Sequence, residues 1–436
     1  MSTALIGSIT VFGLIYVLIA TERVDKTLAA LLGACIVILM HWVPYEAALH
    51  AVDLNVILLL VGMMMSVQVL ASTGVFEWIA VSLARASGGS GLKILIGFTL
   101  ATAILSALLD NVTTVILVAP ITILICELLE LKATPFLIVE ALASNIGGTA
   151  TLVGDPPNVL IASKTGLSFN AFLINLGPPV AVMLVVGIII TALAMRSTVE
   201  VDPALRERVL KARPERAILH PGRLKRAGAV FGLVLLGFLV GHPLGMEPGV
   251  VALAGSLVMI LVCRMDMHHT LERVEWNVVF FFTGLFMLIG ALEHNGAIEM
   301  LSHLILDWTG GDFALTLLAV LWFAGIASAI VDNIPLVIAM LPLLKTIVPE
   351  LGENLGITDP EQLRIQVEEP LYWSLALGAC LGGNGSLVGA SANVVIAQIG
   401  KRNGHPITFL RFSAVGVPTM IATLGVATLW LTWRYL

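Results

Sequence analysis

Four short polar segments interrupt stretches that are otherwise apolar, and they hold the side chains best suited to binding chemistry in this 436-residue chain. They are Asp110-Asn111-Val112-Thr113-Thr114, the run from Gly147 to Asn158, Asp332-Asn333-Ile334-Pro335, and the run from Gly382 to Asn393. Freed carbonyls and carboxylates in such breaks suit protons or cations, while freed N–H groups suit oxygens. Glycines let the backbone turn and approach a solute closely. The candidate solute-binding set is Asn111, Thr113, Thr114, Gly148, Thr149, Asn158, Asn333, Gly383, Asn384, Ser386 and Asn393. The candidate proton- or ion-coupling groups are Asp110, Asp155 and Asp332. We find no Ser/His/Asp constellation and no His-Glu-x-x-His run. The glycine run Gly88-Gly89-Ser90-Gly91 lacks the Gly-Lys-Ser/Thr ending of a phosphate-binding loop. The four cysteines have neither metal spacing nor a disulfide pattern. Carriage rather than catalysis is expected, with no cofactor and no metal.

Each residue has a plainer reading. Asp110 and Asp332 could cap the second helix of a hairpin, a role Asp fills well. An ionised Asp at the centre of a membrane helix costs about 2.5–3.5 kcal/mol on insertion scales, and a Ser or Asn cap would avoid that. Asp155 precedes Pro156-Pro157, an ordinary helix start. The amides and hydroxyls could be packing glue between helices. Their concentration at the breaks favours a cavity lining, and the chamber so drawn contains no Arg or Lys.

The elements that must carry these residues follow from composition. Hydrophobic residues make up 58% of the chain and charged ones only 12%, about half the charged share of a soluble domain. The bilayer is the expected solvent. A net charge of −6 without a basic patch argues against nucleic acid. A crossing helix needs roughly 20 apolar residues. Candidate crossings are 4–20, 27–43, 54–84 (bent at Gly74), 134–164, 178–195, 227–243, 249–264, 276–303, 370–400 and 413–433. The stretches 92–129 and 313–345, each split by a polar pair, read as hairpins that enter and leave on one side. With 196–226 in the cytoplasm, only Lys164, Lys345, Arg364 and Arg434 of the 23 Lys and Arg residues fall outside. Both termini then face away from the cytoplasm, and the inner (plasma) membrane is the expected location.

The chain also repeats itself. At an offset of 222 residues, Asp110-Asn111 meets Asp332-Asn333, Gly62 meets Gly284 and Pro120 meets Pro342. After a 13-residue insertion the offset becomes 235, where Gly147-Gly148 meets Gly382-Gly383 and Asn158 meets Asn393. Asp155 meets Ala390, so symmetry does not require its carboxylate. Each half holds five crossings, an odd number, so the halves must be inverted. The expected fold is therefore an all-α polytopic membrane protein with ten transmembrane helices in two inverted five-helix repeats. The first repeat is 1–195, with hairpin 92–129 and broken helix 134–164. The charged segment 196–226 is a solvated cytoplasmic linker. The second repeat is 227–436, with hairpin 313–345 and broken helix 370–400. Transporters of this plan place their site at mid-membrane between the halves.

The four motifs, in this order over nearly the whole chain, resemble the ion transporter superfamily. Within it they are similar to the branch of the arsenite/antimonite efflux permeases (ArsB) and the pink-eyed-dilution P protein, and Gly154-Asp155-Pro156-Pro157-Asn158 is P-protein-like. The resemblance implies a scaffold portion and a transport portion in each half, with the solute between the hairpin tips around Asn111, Thr113 and Asn333. Relatives are often dimers, so a homodimer is one expected partner, and a soluble ATPase subunit is another that the resemblance allows. The leading functional expectation is proton-coupled efflux of arsenite or antimonite by alternating access. Sodium/proton antiport is the alternative. Sodium-coupled dicarboxylate or anion transport ranks lower, because an Asp at each tip repels a dianion.

Overall fold

The computed structural model describes residues 2–20, 24–195, 199–300 and 309–436, and among them every regular element is helical. Among the described residues, eight helices are long and apolar enough to cross a membrane. They are α4 (Leu54–Ala71), α6 (Gly91–Leu108), α7 (Asn111–Leu128), α10 (Phe169–Met195), α15 (Trp276–His294), α16 (Phe313–Ile330), α17 (Asn333–Asn354) and α20 (Phe409–Tyr435). Shorter apolar helices are α1 (Thr3–Ala20), α2 (Lys26–Leu39) and α13 (Pro248–Cys263). Helix starts are set by acidic caps: Asp25 accepts from the Thr27 and Leu28 N–H groups, and Asp53 from those of Asn55 and Val56.

Two helix pairs turn at polar tips. α6 turns into α7 at Leu109-Asp110, and α16 turns into α17 at Val331-Asp332. Two helices are broken. α8 (Thr134–Gly148) stops before α9 (Pro156–Thr165), and α18 (Glu369–Gly382) stops before α19 (Ser391–Arg402). α8 packs along α6, and α18 packs along α16. The second arm of each broken helix crosses to the other half, α9 against α17 and α19 against α7.

Helix starts recur at the offsets read from the sequence. Lys26 and Pro248, Gly91 and Phe313, and Asn111 and Asn333 lie 222 apart, while Thr134 and Glu369, and Pro156 and Ser391, lie 235 apart. Contacts recur as well. α4 packs on α13, and α15 packs on α2. A methyl placed on Gly62 would lie 2.5 Å from the backbone carbon of Ala252, and one on Gly284 would lie 2.8 Å from that of Ala30. Gly62 corresponds to Gly284 and Ala30 to Ala252, so one close contact is made twice with the halves exchanged.

Several boundaries differ from expectation. The stretch 54–84 is not one bent crossing: α4 ends at Ala71, Gly74 adopts a left-handed φ of 81°, and a separate amphipathic α5 (Val75–Ala86) follows. The crossing drawn to 303 ends at His294, and 301–308 lie outside the described residues. The second hairpin reaches Asn354 rather than 345. The charged linker is not simply solvated. It contains α11 (Pro203–Leu210), its Leu219 N–H donates to the Thr73 carbonyl at 3.0 Å, and Val199, Val201 and Pro214 are buried. The helix after it, α12 (Pro221–Val240), begins six residues earlier than 227, because Pro221 is well suited to a first helical position.

Candidate functional site

Asp155 stands immediately before α9, where a capping role was one reading, yet its side chain makes no cap hydrogen bond. Its Oδ1 instead accepts from Asn111 Nδ2 at 3.1 Å and from Asn333 Nδ2 at 3.4 Å. Asn111 opens α7 and Asn333 opens α17, so both hairpin tips converge on one carboxylate oxygen. Asp155 is fully buried, and the two amides are 2% exposed. Backbone freed by the break at 149–155 aims this carboxylate inward, since α9 cannot start until Pro156.

The amides continue as a chain across the two halves. Asn111 Nδ2 also donates to Asn145 Oδ1 at 3.2 Å, and Asn145 Nδ2 donates to Asn384 Oδ1 and Asn393 Oδ1, both at 3.0 Å. Asn158 and Asn393 hold the breaks together. Asn158 Nδ2 donates to the carbonyls of Thr149 and Thr151, and Asn393 Nδ2 to those of Gly383 and Ser386. The remaining oxygen of Asn158 accepts from Cys380 Sγ at 3.6 Å. Cys380 is the repeat counterpart of Asn145, so this contact mirrors the Asn145–Asn393 bond.

Three buried polar atoms of this cluster, Asp155 Oδ2, Asn111 Oδ1 and Asn384 Nδ2, have no hydrogen-bond partner among the described residues, and Thr114 Oγ1, one turn along α7 from Asn111, is a fourth. Buried polar groups are normally paired, so unpaired ones at one place mark a site for a solute, ion or water. Three of the four are oxygens. Two cavities flank α9 near its Thr165 end. One of about 250 Å³ is lined by Leu160, Lys164, Glu293, Ile338 and Lys345, and one of about 230 Å³ by Asn55, Val159, Ser163 and His242.

The other expected residues have more local duties. Asp110 caps α7 through the Thr113 N–H at 2.8 Å, and Asp332 caps α17 through the Ile334 N–H at 3.2 Å. The Thr149 hydroxyl donates to the Asn145 carbonyl and the Ser386 hydroxyl to the Ala329 carbonyl. Gly148 and Gly383 pack against the backbone carbonyls of Gly154 and Gly389. Thr113 is buried and contributes its N–H.

Lys26 corrects the expectation of a chamber without Lys or Arg. Its Nζ lies 3.0 Å from Asp332 Oδ2 and also donates to Ser391 Oγ, which donates to the same carboxylate at 2.8 Å. Among the described residues, Asp332 thus has an ion-pair partner and Asp110 has none. Just before α15, Glu275 is pushed up to about 7 by burial, then by the charge of Asp110, with Lys26 pulling it down. Sequence reasoning missed Asn145, Lys26 and Cys380. Asn145 stands two residues before the Gly147-Gly148 pair, but its counterpart at the 235 offset is a cysteine, so comparing the halves screened it out.

Known proteins agree with this architecture. The chain is 41% identical to a 46 kDa membrane protein of Mycobacterium leprae over 98% of both chains. It is 33% identical to an uncharacterized transporter of Synechocystis, covering 98% of this chain and 96% of that one. It is 31% identical to the P protein of Sus scrofa over 96% of this chain but only 58% of that longer protein. The YdaH transporter of Alcanivorax borkumensis has the same fold at 16% identity, with a TM-score of 0.57 over 87% of this chain and 84% of its own. Residues 16–365 match the family described as citrate transporter. The expected superfamily is therefore confirmed, and this multi-pass membrane transporter belongs to the CitMHS family.

Proposed function

We propose that the chain is a secondary active transporter working by alternating access, with Asp155 as its coupling carboxylate. The observation that carries this reading is the Asp155 side chain, one oxygen held by both hairpin tips and the other buried and unpaired. A carboxylate in that position senses the separation of the tips, and its charge decides whether the closed arrangement is tolerable. We read the fold as ten crossings in two inverted five-helix repeats, joined by the cytoplasmic linker, with both termini on the non-cytoplasmic side of the inner membrane. The doubled Gly62–Ala252 and Gly284–Ala30 contact supports two halves related by a pseudo-two-fold axis.

The cargo we favour is a small, neutral, hydroxyl-rich solute, arsenite or antimonite, exported as protons enter. Trivalent arsenic near neutral pH is a trihydroxide, which donates hydrogen bonds and needs no countercharge. The unpaired oxygens Asp155 Oδ2, Asn111 Oδ1 and Thr114 Oγ1 are acceptors of that kind. The same oxygens favour sodium/proton antiport as a second reading, since hard cations take oxygen ligands. The family description names citrate. A tricarboxylate about 4 Å from Asp155 would meet repulsion of about 4 kcal/mol per charge at an intermediate dielectric, and Lys26 is already paired with Asp332.

The test is flux into and out of proteoliposomes under an imposed pH gradient, with arsenite, antimonite, sodium, lithium, citrate and succinate offered in turn. Saturable arsenite or antimonite movement with opposite proton movement is expected. Proton release driven by sodium alone would establish the second reading. Citrate flux without any response to the other solutes would overturn both.

A further inference from the structure

Glu140 is a buried carboxylate that the cluster around Asp155 does not use. It lies on α8 and is 1% exposed. The Thr122 hydroxyl on α7 donates to its Oε1, while Oε2 is buried without a partner. At the repeat offsets Glu140 corresponds to Leu375 and Thr122 to Leu344. Both leucines are fully buried, and α17 packs on α18 as α7 packs on α8. Shape alone is therefore satisfied by two leucines at this contact, and a hydrogen-bonded Glu–Thr pair is not needed to join a hairpin to a broken helix. An ionisable side chain inside a membrane is expensive, which makes its presence there a sign of use.

Among the described residues, nothing around Glu140 neutralises it by an ion pair. The titratable groups that face it are on α7, the buried Cys126 thiol and, beyond it, Glu127 at the surface. α10 has no titratable residue, and α6 has only the exposed Lys93. α19 meets α8 with Gly400 against Leu137, while its Lys401 and Arg402 are exposed. On α18 the titratable groups are Glu369 and Tyr372 at its start and Cys380 beside Asn158. α20 contributes Arg411, Arg434 and Tyr435, near its two ends. Ion pairs among the described residues do not include Glu140.

We propose that Glu140 is a second proton-binding group of the transport unit. It holds a proton while enclosed between α7 and α8 and exchanges it with the side on which α8 begins, about 9 Å along the helix. The step is simple: a carboxylate and a proton become a carboxylic acid, and no other bond changes. The unpartnered Oε2 is the atom open to the proton or to the water that delivers it. This deepens the proton-coupled reading above and rests on it, but its test needs no cargo.

Infrared difference spectra of the purified protein between acidic and alkaline pH read the carbonyl stretch of buried protonated carboxyls. We expect a band that is lost on alkalinisation, absent in Glu140→Gln, shifted in Glu140→Asp and retained in Asp155→Asn. A band identical in wild type, Glu140→Gln and Glu140→Asp would overturn the proposal. So would a Glu140 band that stays constant across the whole pH range in which the protein remains folded. If proton-coupled transport is wrong, wild-type flux fails while the band persists. If the Glu140 assignment is wrong, the band is missing while wild-type flux persists.

Discussion

Replacing Asn145 with alanine removes one junction at which the two halves share hydrogen bonds. The side chain donates to Asn384 and Asn393 at 3.0 Å each and accepts from Asn111 at 3.2 Å. Interhelical side-chain hydrogen bonds in membrane proteins average about 0.6 kcal/mol, so three give about 2 kcal/mol. The deserted oxygens belong to residues with no exposure. Left unsolvated, each adds about 1–3 kcal/mol. The expected loss is therefore about 2 kcal/mol if water enters and about 4 kcal/mol or more if it does not. Cys380 provides the internal control. It occupies the equivalent position, where its thiol donates weakly to Asn158 Oδ1 at 3.6 Å, and Cys380→Ala is expected to lose about 1 kcal/mol. Reversible unfolding in mixed micelles, followed by tryptophan fluorescence, gives both values. Asn145→Ala no more damaging than Cys380→Ala would mean that these hydrogen bonds do not stabilise the junction.

Two further predictions concern the scaffold. Gly62→Ala presses a methyl onto the Ala252 backbone and Gly284→Ala onto that of Ala30, so both should lose about 1–3 kcal/mol, the first more than the second. Gly228→Ala, in open space on α12, should be neutral or stabilising, and thermal unfolding ranks the three. Glu275, held near 7 when folded against 4.5 in its ordinary state, keeps its proton in the native protein over a range where the unfolded chain has lost it. Wild type should therefore lose stability as pH rises from about 4.5 to 7, and Glu275→Gln should lose less over that window. Equal slopes of unfolding free energy against pH in the two proteins would count against this.

Much of the site could be read from residue order because the breaks are conspicuous. Asp and Asn inside apolar runs, and glycine pairs before Pro156 or Ser391, leave few helical alternatives, and helix starts recur at the offsets of 222 and 235 that align the motifs. Asp110, Asp155 and Asp332 each allow capping and coupling alike in the sequence. The backbone N–H groups of Thr113 and Ile334 are capped by Asp110 and Asp332, whereas the two hairpin tips claim the Asp155 oxygen. What escaped was set by tertiary pairing. Lys26 sits at the start of an ordinary-looking helix, and only the approach of α2 to the second hairpin brings it to Asp332. Glu140 reads as one acid in an apolar stretch until Thr122 is placed opposite it. The stretch 54–84 was drawn as one crossing because hydropathy continues past Gly74, while the turn there depends on backbone conformation.

If one carboxylate, held by both tips, couples cargo to protons, Asp155→Asn is the decisive substitution. The amide keeps an acceptor oxygen for Asn111 and Asn333 but cannot carry a charge. Proton-coupled flux in proteoliposomes should fall at least tenfold (about 1.4 kcal/mol or more) and lose its pH dependence, with thermal stability preserved. Unchanged flux with an unchanged pH profile would contradict the account.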